Sequence, residues 1–189
     1  MQENKSFYKI IKIIIKAEVI KIKLKKPVNV DLFKFITKGE FDYIENGQTK
    51  EWILNNFPDP DQIGDMGHGL SVWLYGRIEF HFDKEILFSI WCDNFIDFTA
   101  GKNIKLDKWI FNDVKKLNVS KMITILNQNK LNFTLIHKYG SVIIRILDSN
   151  VDLYFSPEYD EDYGDTETEN LHFAAFGLSH KDYRQRLGE

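Results

Sequence analysis

The sequence predicts an α+β domain of two tandem helix-helix-four-strand repeats, with antiparallel sheet or sheets and helices on one face. Three observations support this fold class. Capping residues precede short amphipathic segments in both halves of the chain, apolar runs with strand character follow each pair of segments, and turn residues separate the runs. The length of 189 residues and the hydrophobic content of 43% suit a single domain over 1–189.

A basic leader occupies residues 1–30. The first 38 residues contain ten lysines and only three acidic residues. Up to residue 16 the apolar spacing fits an amphipathic helix, whereas the many isoleucines favour a strand, so both conformations remain open. Strict alternation of apolar residues with lysine then predicts a strand at 19–25, which Pro27 ends.

The first repeat is predicted over 31–99. Asp31 is expected to cap one helix and Thr49 a second helix that stops at Pro58. A loop rich in Pro, Asp and Gly is predicted over 58–69. Strands are expected at 71–75, 77–82, 86–92 and 95–98, and alternation places Ile78, Phe80 and Phe82 in the core.

The second repeat is predicted over 107–177. Asp107 and Ser120 are the expected caps of its two helices. Strands are expected at 132–138, 141–147, 151–156 and 171–177. Tyr75-Gly76 and Tyr139-Gly140 would each join two strands at the same point of the order, which supports a duplication.

The sequence contains no recognisable motif for nucleophilic catalysis or metal binding. The single cysteine, Cys92, lies in an apolar run and is expected to be a small buried hydrophobe. Residues 59–65 resemble a calcium loop only faintly, because Leu70 stands where a bidentate glutamate is needed. The sequence therefore predicts no catalytic residue, no metal and no cofactor.

A small polar site is nevertheless expected on the strand at 77–82. Arg77, Glu79 and His81 alternate with the apolar residues and so share one face. This face is either the hydrated side of a sheet or the site of a small enzyme, and histidine would supply a group that titrates near neutral pH. Both interpretations remain open.

An acidic segment separates the last two predicted strands. Residues 39–189 carry a net charge of −10, and the segment contributes much of it without any lysine or arginine. It is either a hydrated insertion or a surface that attracts a basic partner and anchors it with tyrosines. The partner-binding residues on the second interpretation are Glu158, Tyr159, Asp160, Glu161, Asp162, Tyr163, Asp165, Glu167 and Glu169.

The run Trp-Leu-Tyr-Gly-Arg-Ile-Glu-Phe-His-Phe at 73–82 resembles a strand of small bacterial immunity-type proteins. These proteins belong to polymorphic or contact-dependent toxin systems, and the resemblance covers residues 47–93. The duplicated architecture also resembles that of beta-lactamase inhibitor proteins. The resemblance implies a non-enzymatic protein that binds and neutralises a cognate protein toxin, with a basic nuclease as one candidate partner.

The lysine-rich leader leaves a nucleic-acid or membrane accessory as a further alternative. Its lysines would attract phosphates, but the acidic remainder of the chain would repel a duplex, and no recognised motif accompanies them. Neither nucleic acid nor a membrane is therefore the expected partner. No apolar run approaches the ~20 residues that span a bilayer, and no secretory signal is recognisable, so a cytoplasmic location is expected.

Overall fold

The computed structural model describes residues 28–157, 167–181 and 183, which form an α+β fold with a large antiparallel sheet. The three α-helices of this part of the chain are α1 (Leu32–Lys38), α2 (Lys50–Asn56) and α3 (Val119–Gln128). The strands are β1 (Val28–Asp31), β2 (Gln62–Gly67), β3 (Leu70–Tyr75), β4 (Ile78–Asp83), β5 (Ile86–Cys92), β6 (Ile104–Asp107), β7 (Phe133–Lys138), β8 (Ser141–Ile146), β9 (Val151–Ser156) and β10 (His172–Ser179).

Within the described residues, eight strands form the antiparallel sheet in the order β2-β3-β4-β5-β10-β9-β8-β7. Each half of the chain contributes four neighbouring strands in chain order, so the last strand of each half lies at the centre. There Phe176 of β10 pairs with Cys92 of β5, and Leu178 pairs with Ile90. Strands β1 and β6 form a separate parallel pair, which the sequence did not predict.

One face of the sheet packs against the helices through an aromatic core. The ring of Phe80 lies 5.4 Å from that of Phe41 and 6.0 Å from that of Phe57. Near the centre, Phe35 of α1 lies 5.6 Å from Phe176 of β10. All five rings are fully buried, and rings at these separations contribute beyond the area that they bury.

The helix caps of the first half and the burial pattern of β4 are confirmed. The Asp31 carboxylate accepts hydrogen bonds from the first turn of α1, and the Thr49 hydroxyl accepts one from Trp52 N–H in α2. Ile78, Phe80 and Phe82 are fully buried, as alternation predicted.

Three predicted elements and one predicted helix cap are wrong. Residues 58–69 are not all loop, because β2 pairs antiparallel with β3, and residues 95–98 form no strand. The Asp107 carboxylate accepts from Trp109 N–H, but two short 3₁₀ helices (Trp109–Asn112 and Val114–Lys116) follow it in place of one α-helix. Helix α3 is capped by Asn118, whose side-chain oxygen accepts from Lys121 N–H, and Ser120 lies inside the helix.

The two Tyr-Gly pairs do not occupy equivalent positions. Tyr75 ends β3, so Gly76 belongs to the turn between the second and third strands of the first half. Tyr139-Gly140 forms the turn between β7 and β8, the first and second strands of the second half. The prediction failed because β2 adds a strand and residues 95–98 supply none, and the tandem repeat itself is not confirmed.

Candidate binding face of the sheet

The sheet face opposite the helices carries polar and aromatic side chains, and we call it the outer face. Side chains alternate along each strand, and residues paired across antiparallel strands share a face. One row of pairs runs from Leu74 through Glu79, Trp91, Gly177 and Asp152 to Arg145. Its members come from both halves of the chain. The outer face comprises Val72, Leu74, Glu79, His81, Ser89, Trp91, Gly177, Ser179, Asp152, Tyr154, Ile143 and Arg145.

Two of the three residues of the predicted polar site are joined on the outer face. His81 Nε2 lies 2.7 Å from Glu79 Oε2, and the two side chains are 22% and 31% exposed. Arg77 precedes β4, and its Nε donates to the Ile96 carbonyl 3.0 Å away. The sequence predicted one cluster of three residues. The described contacts join Glu79 with His81 but tie Arg77 to the loop that contains Ile96.

An aromatic pair occupies the centre of the outer face. Trp91 on β5 and Tyr154 on β9 have ring centroids 4.9 Å apart at an interplanar angle of 62°. Gly177 on β10 lies between these strands, and a Cβ there would come within 2.5 Å of Trp91 Cε3. Glycine at 177 therefore lets the indole lie across β10 and reach the tyrosine.

Arg145 and Asp152 form a bidentate ion pair beside the aromatic pair. Nε and Nη2 of the guanidinium lie 2.7 and 2.8 Å from the two carboxylate oxygens. Asp152 is almost fully buried, with a side chain that is 3% exposed. Such planar pairing orients both groups. The ion pair therefore has a fixed geometry on the side of the aromatic pair that the second half of the chain forms.

Sequence reasoning missed Trp91, Tyr154, Arg145 and Asp152 as candidate site residues. Trp91 stands in an apolar run beside Cys92, where only the register shows which of the two side chains lies on the outer face. The alternation of Asp152 and Tyr154 with buried Leu153 and Phe155 could have indicated the face.

The predicted acidic segment is only partly described. Glu158, Tyr159, Asp160, Glu161, Asp162, Tyr163 and Asp165 lie outside the described residues. Glu167 and Glu169 are exposed. Glu167 directly precedes the 3₁₀ helix Thr168–Asn170, and Glu169 lies within it. The segment joins β9 to β10 at the paired residues Ser156 and His172, so it is tethered to the same strands that carry Tyr154 and Gly177.

Cys92 belongs to the core, as predicted. Its side chain is fully buried, and burial raises the pKa of the thiol to about 12. A thiol that stays protonated at neutral pH is a poor nucleophile. Among residues 28–157, 167–181 and 183, no three His, Cys, Asp or Glu side chains are grouped as a metal site would require.

Two clefts near the β4–β5 turn are lined by residues outside the predicted polar site. One of about 520 Å³ lies beside Phe88, His180 and Tyr183. The other, of about 630 Å³, lies beside Ile63 and Trp73. Neither of these two is lined by Arg77, Glu79 or His81.

No helix in the described part of the chain combines the length and the apolar character needed to cross a membrane. No protein-family model matches the sequence, and no curated protein matches it. Among solved structures, the chain is similar to an extracellular protein containing an SCP domain from Bacillus anthracis, at 14% identity and a TM-score of 0.34. The similarity covers 75% of this chain and 46% of that one, and at this level it carries no functional argument.

Proposed function

We propose that this chain is a non-enzymatic, cytoplasmic binding protein of the immunity type, which neutralises a cognate bacterial toxin by direct contact. The observation that carries the proposal is the outer face. Trp91 and Tyr154 lie at its centre, between the Glu79–His81 and Arg145–Asp152 pairs. Central aromatic anchors with a polar surround are the usual composition of a protein-binding surface.

The architecture is compatible with the resemblance on which the proposal also draws. A duplicated helix-and-strand unit would place four strands from each half side by side, with the last strands meeting at the centre. The observed order β2-β3-β4-β5-β10-β9-β8-β7 has this form. On this proposal the outer face is shared by both halves, and a partner docks across their junction.

The acidic segment is proposed to accelerate the encounter with a basic toxin. Individual exposed ion pairs contribute about 0–1 kcal/mol, so the effect must come from the summed field of the segment. Changing Asp160, Glu161 and Asp162 to the corresponding amides should slow association and flatten its dependence on salt. The free energy of unfolding should barely change. An unchanged association rate at low and high salt would make the segment a hydrated insertion.

The decisive experiment uses the protein encoded next to this chain as the candidate toxin. Co-expression should restore growth, and the purified proteins should form a complex of fixed stoichiometry. Trp91→Ala should weaken the complex by a factor of about ten or more, since a central tryptophan commonly contributes about 2 kcal/mol or more. Trp52→Ala is the matched control, because Trp52 lies on α2 and is 39% exposed there. Equal growth inhibition with and without the chain would contradict the proposal.

An enzymatic alternative is favoured only by the Glu79–His81 contact at 2.7 Å. Substoichiometric titration separates the two functions. A binding protein neutralises no more toxin than its own molar amount, whereas an enzyme inactivates many equivalents with time. Turnover that disappears in His81→Asn would establish the enzyme and overturn the binding proposal.

A further inference from the structure

We infer that Trp91, Tyr154 and Glu79 form a receptor for one cationic side chain, an arginine or a lysine, of the bound protein. This inference rests on the proposed function, because it identifies what the outer face would contact. It follows from the aromatic geometry, from the position of the carboxylate and from the distribution of charge on the first four sheet strands.

The aromatic geometry creates a surface with a fixed orientation. The six-membered ring of Trp91 lies over Gly177, where a Cβ would approach Cζ3 to 2.9 Å. Tyr154 meets the indole at 62° with a centroid distance of 4.9 Å. Trp91 is half-buried, so part of the indole remains exposed to solvent. Cations bind preferentially over indole and phenol rings, through the negative potential of the ring face.

The carboxylate stands directly beside this aromatic surface. Glu79 pairs with Trp91 across β4 and β5, which brings their Cβ atoms to about 4.5–5.5 Å. His81 engages Oε2 at 2.7 Å and thereby restricts the carboxylate orientation. The Glu79 side chain is 31% exposed, so a visiting cation has access to it. A guanidinium stacked on the indole could donate to this carboxylate at the same time.

The charge of this half of the sheet selects the sign of the ligand. Strands β2–β5 contain no lysine or arginine. The acid Glu79 lies on the outer face of these strands. An anionic group would be repelled at the same place, which disfavours phosphate or a carboxylate as occupant. Charge complementarity therefore indicates a basic side chain, in agreement with a basic partner.

The test needs no knowledge of the toxin. The tryptophan indole N–H signals of the ¹⁵N-labelled full chain are followed by NMR during titration with acetyl-Gly-Arg-Gly-amide. The neutral control is the same peptide with citrulline in place of arginine. Trp91→Phe assigns the signal of interest, and buried Trp73, which is 3% exposed, supplies an internal reference.

The arginine peptide should shift the Trp91 indole signal saturably, and the citrulline peptide should not. Glu79→Gln should weaken binding by a factor of about two to five, the range expected for an exposed ion pair. Glu51→Gln, an exposed acid on α2, should leave it unchanged. Dispersed spectra of both variants would show that they fold.

Equal shifts with citrulline, or an unchanged dissociation constant in Glu79→Gln, would overturn the inference. So would a Trp91 signal that moves with protein concentration alone, since a second copy of the chain would then occupy the face. Failure of the toxin experiment together with a specific arginine shift would remove the proposed function and leave the receptor. Toxin binding without any shift by the arginine peptide would support the proposed function and overturn the receptor.

Discussion

Phe80 shows how much of the core depends on one side chain of β4. Its ring lies 5.4 Å from Phe41, 6.0 Å from Phe57 and 4.7 Å from Tyr75, and it is fully buried. Phe80→Ala should therefore lower the free energy of unfolding by about 3–5 kcal/mol, through lost burial and the cavity that remains. Urea denaturation measures the change. Ile96→Ala is the control, because Ile96 is 73% exposed and should lose at most about 0.5 kcal/mol.

The Cys92 thiol should make stability fall at alkaline pH. Burial raises its pKa from 9.0 to about 12, so the unfolded chain loses this proton more readily than the folded chain. The stabilisation is complete below pH 9 and is lost as pH rises toward about 12. Between pH 8 and pH 11, the stability difference between wild type and Cys92→Ala should narrow by about 1–3 kcal/mol. A constant difference in urea denaturation at both pH values would contradict this.

The face on which each side chain lies was predictable from the sequence wherever alternation was regular. In β4 the alternation gave both the buried Ile78 and the outward Glu79 and His81. In β5 it could not, because the register shifts between His81 and Phe82 and the apolar run contains residues of both faces. The partner of Arg77 was equally hidden, since Ile96 lies on a loop distant in the sequence.

The turn between β3 and β4 requires glycine at position 76. Gly76 has φ +60° and its N–H donates to Asp61 Oδ2 at 2.8 Å. A Cβ at this position would collide with the backbone atoms of Thr99 and Gly101. The turn therefore connects the loop before β2 with the loop that follows β5.

Gly76→Ala should destabilise the protein more than Gly67→Ala. Both glycines have positive φ, and a side chain costs about 1–2 kcal/mol in that region. A Cβ at Gly67 has nothing within 4 Å, so the difference between the two variants isolates the collision at Gly76. Thermal or urea unfolding of both variants measures it. Equal losses would mean that the neighbouring loops move aside freely.

Local chemistry determined which elements the sequence could reveal. Helices α1 and α2 were predictable because Asp31 and Thr49 cap them through their own side chains. Strand β2 was not, because its two glycines and Asp65 are typical of turns and it is ordered by pairing with β3. The parallel pairing of β1 with β6 likewise depends on tertiary contact and leaves no local pattern.

The order of the described strands predicts a gradient of local stability. Strands β4, β5, β10 and β9 are the four central strands in the described part of the chain, whereas β2 and β7 are its two outermost strands. Hydrogen–deuterium exchange should be slowest in the four central strands and fastest in the edge strands, because the edges open without breaking the core. Mass spectrometry of peptides from each strand provides the measurement. Faster exchange in β5 and β10 than in β2 and β7 would contradict the strand order.

The junction of β5 and β10 also constrains the order of folding. Strands β2 to β5, and β7 to β9, are each neighbours in the chain, so their pairings close short loops. The pairing of Cys92 with Phe176 instead closes a loop that contains most of the second half, and such a closure costs more entropy. The hairpins can thus nucleate separately, while the β5–β10 pairing forms late and limits the rate. Mutations there should therefore slow folding more than they accelerate unfolding.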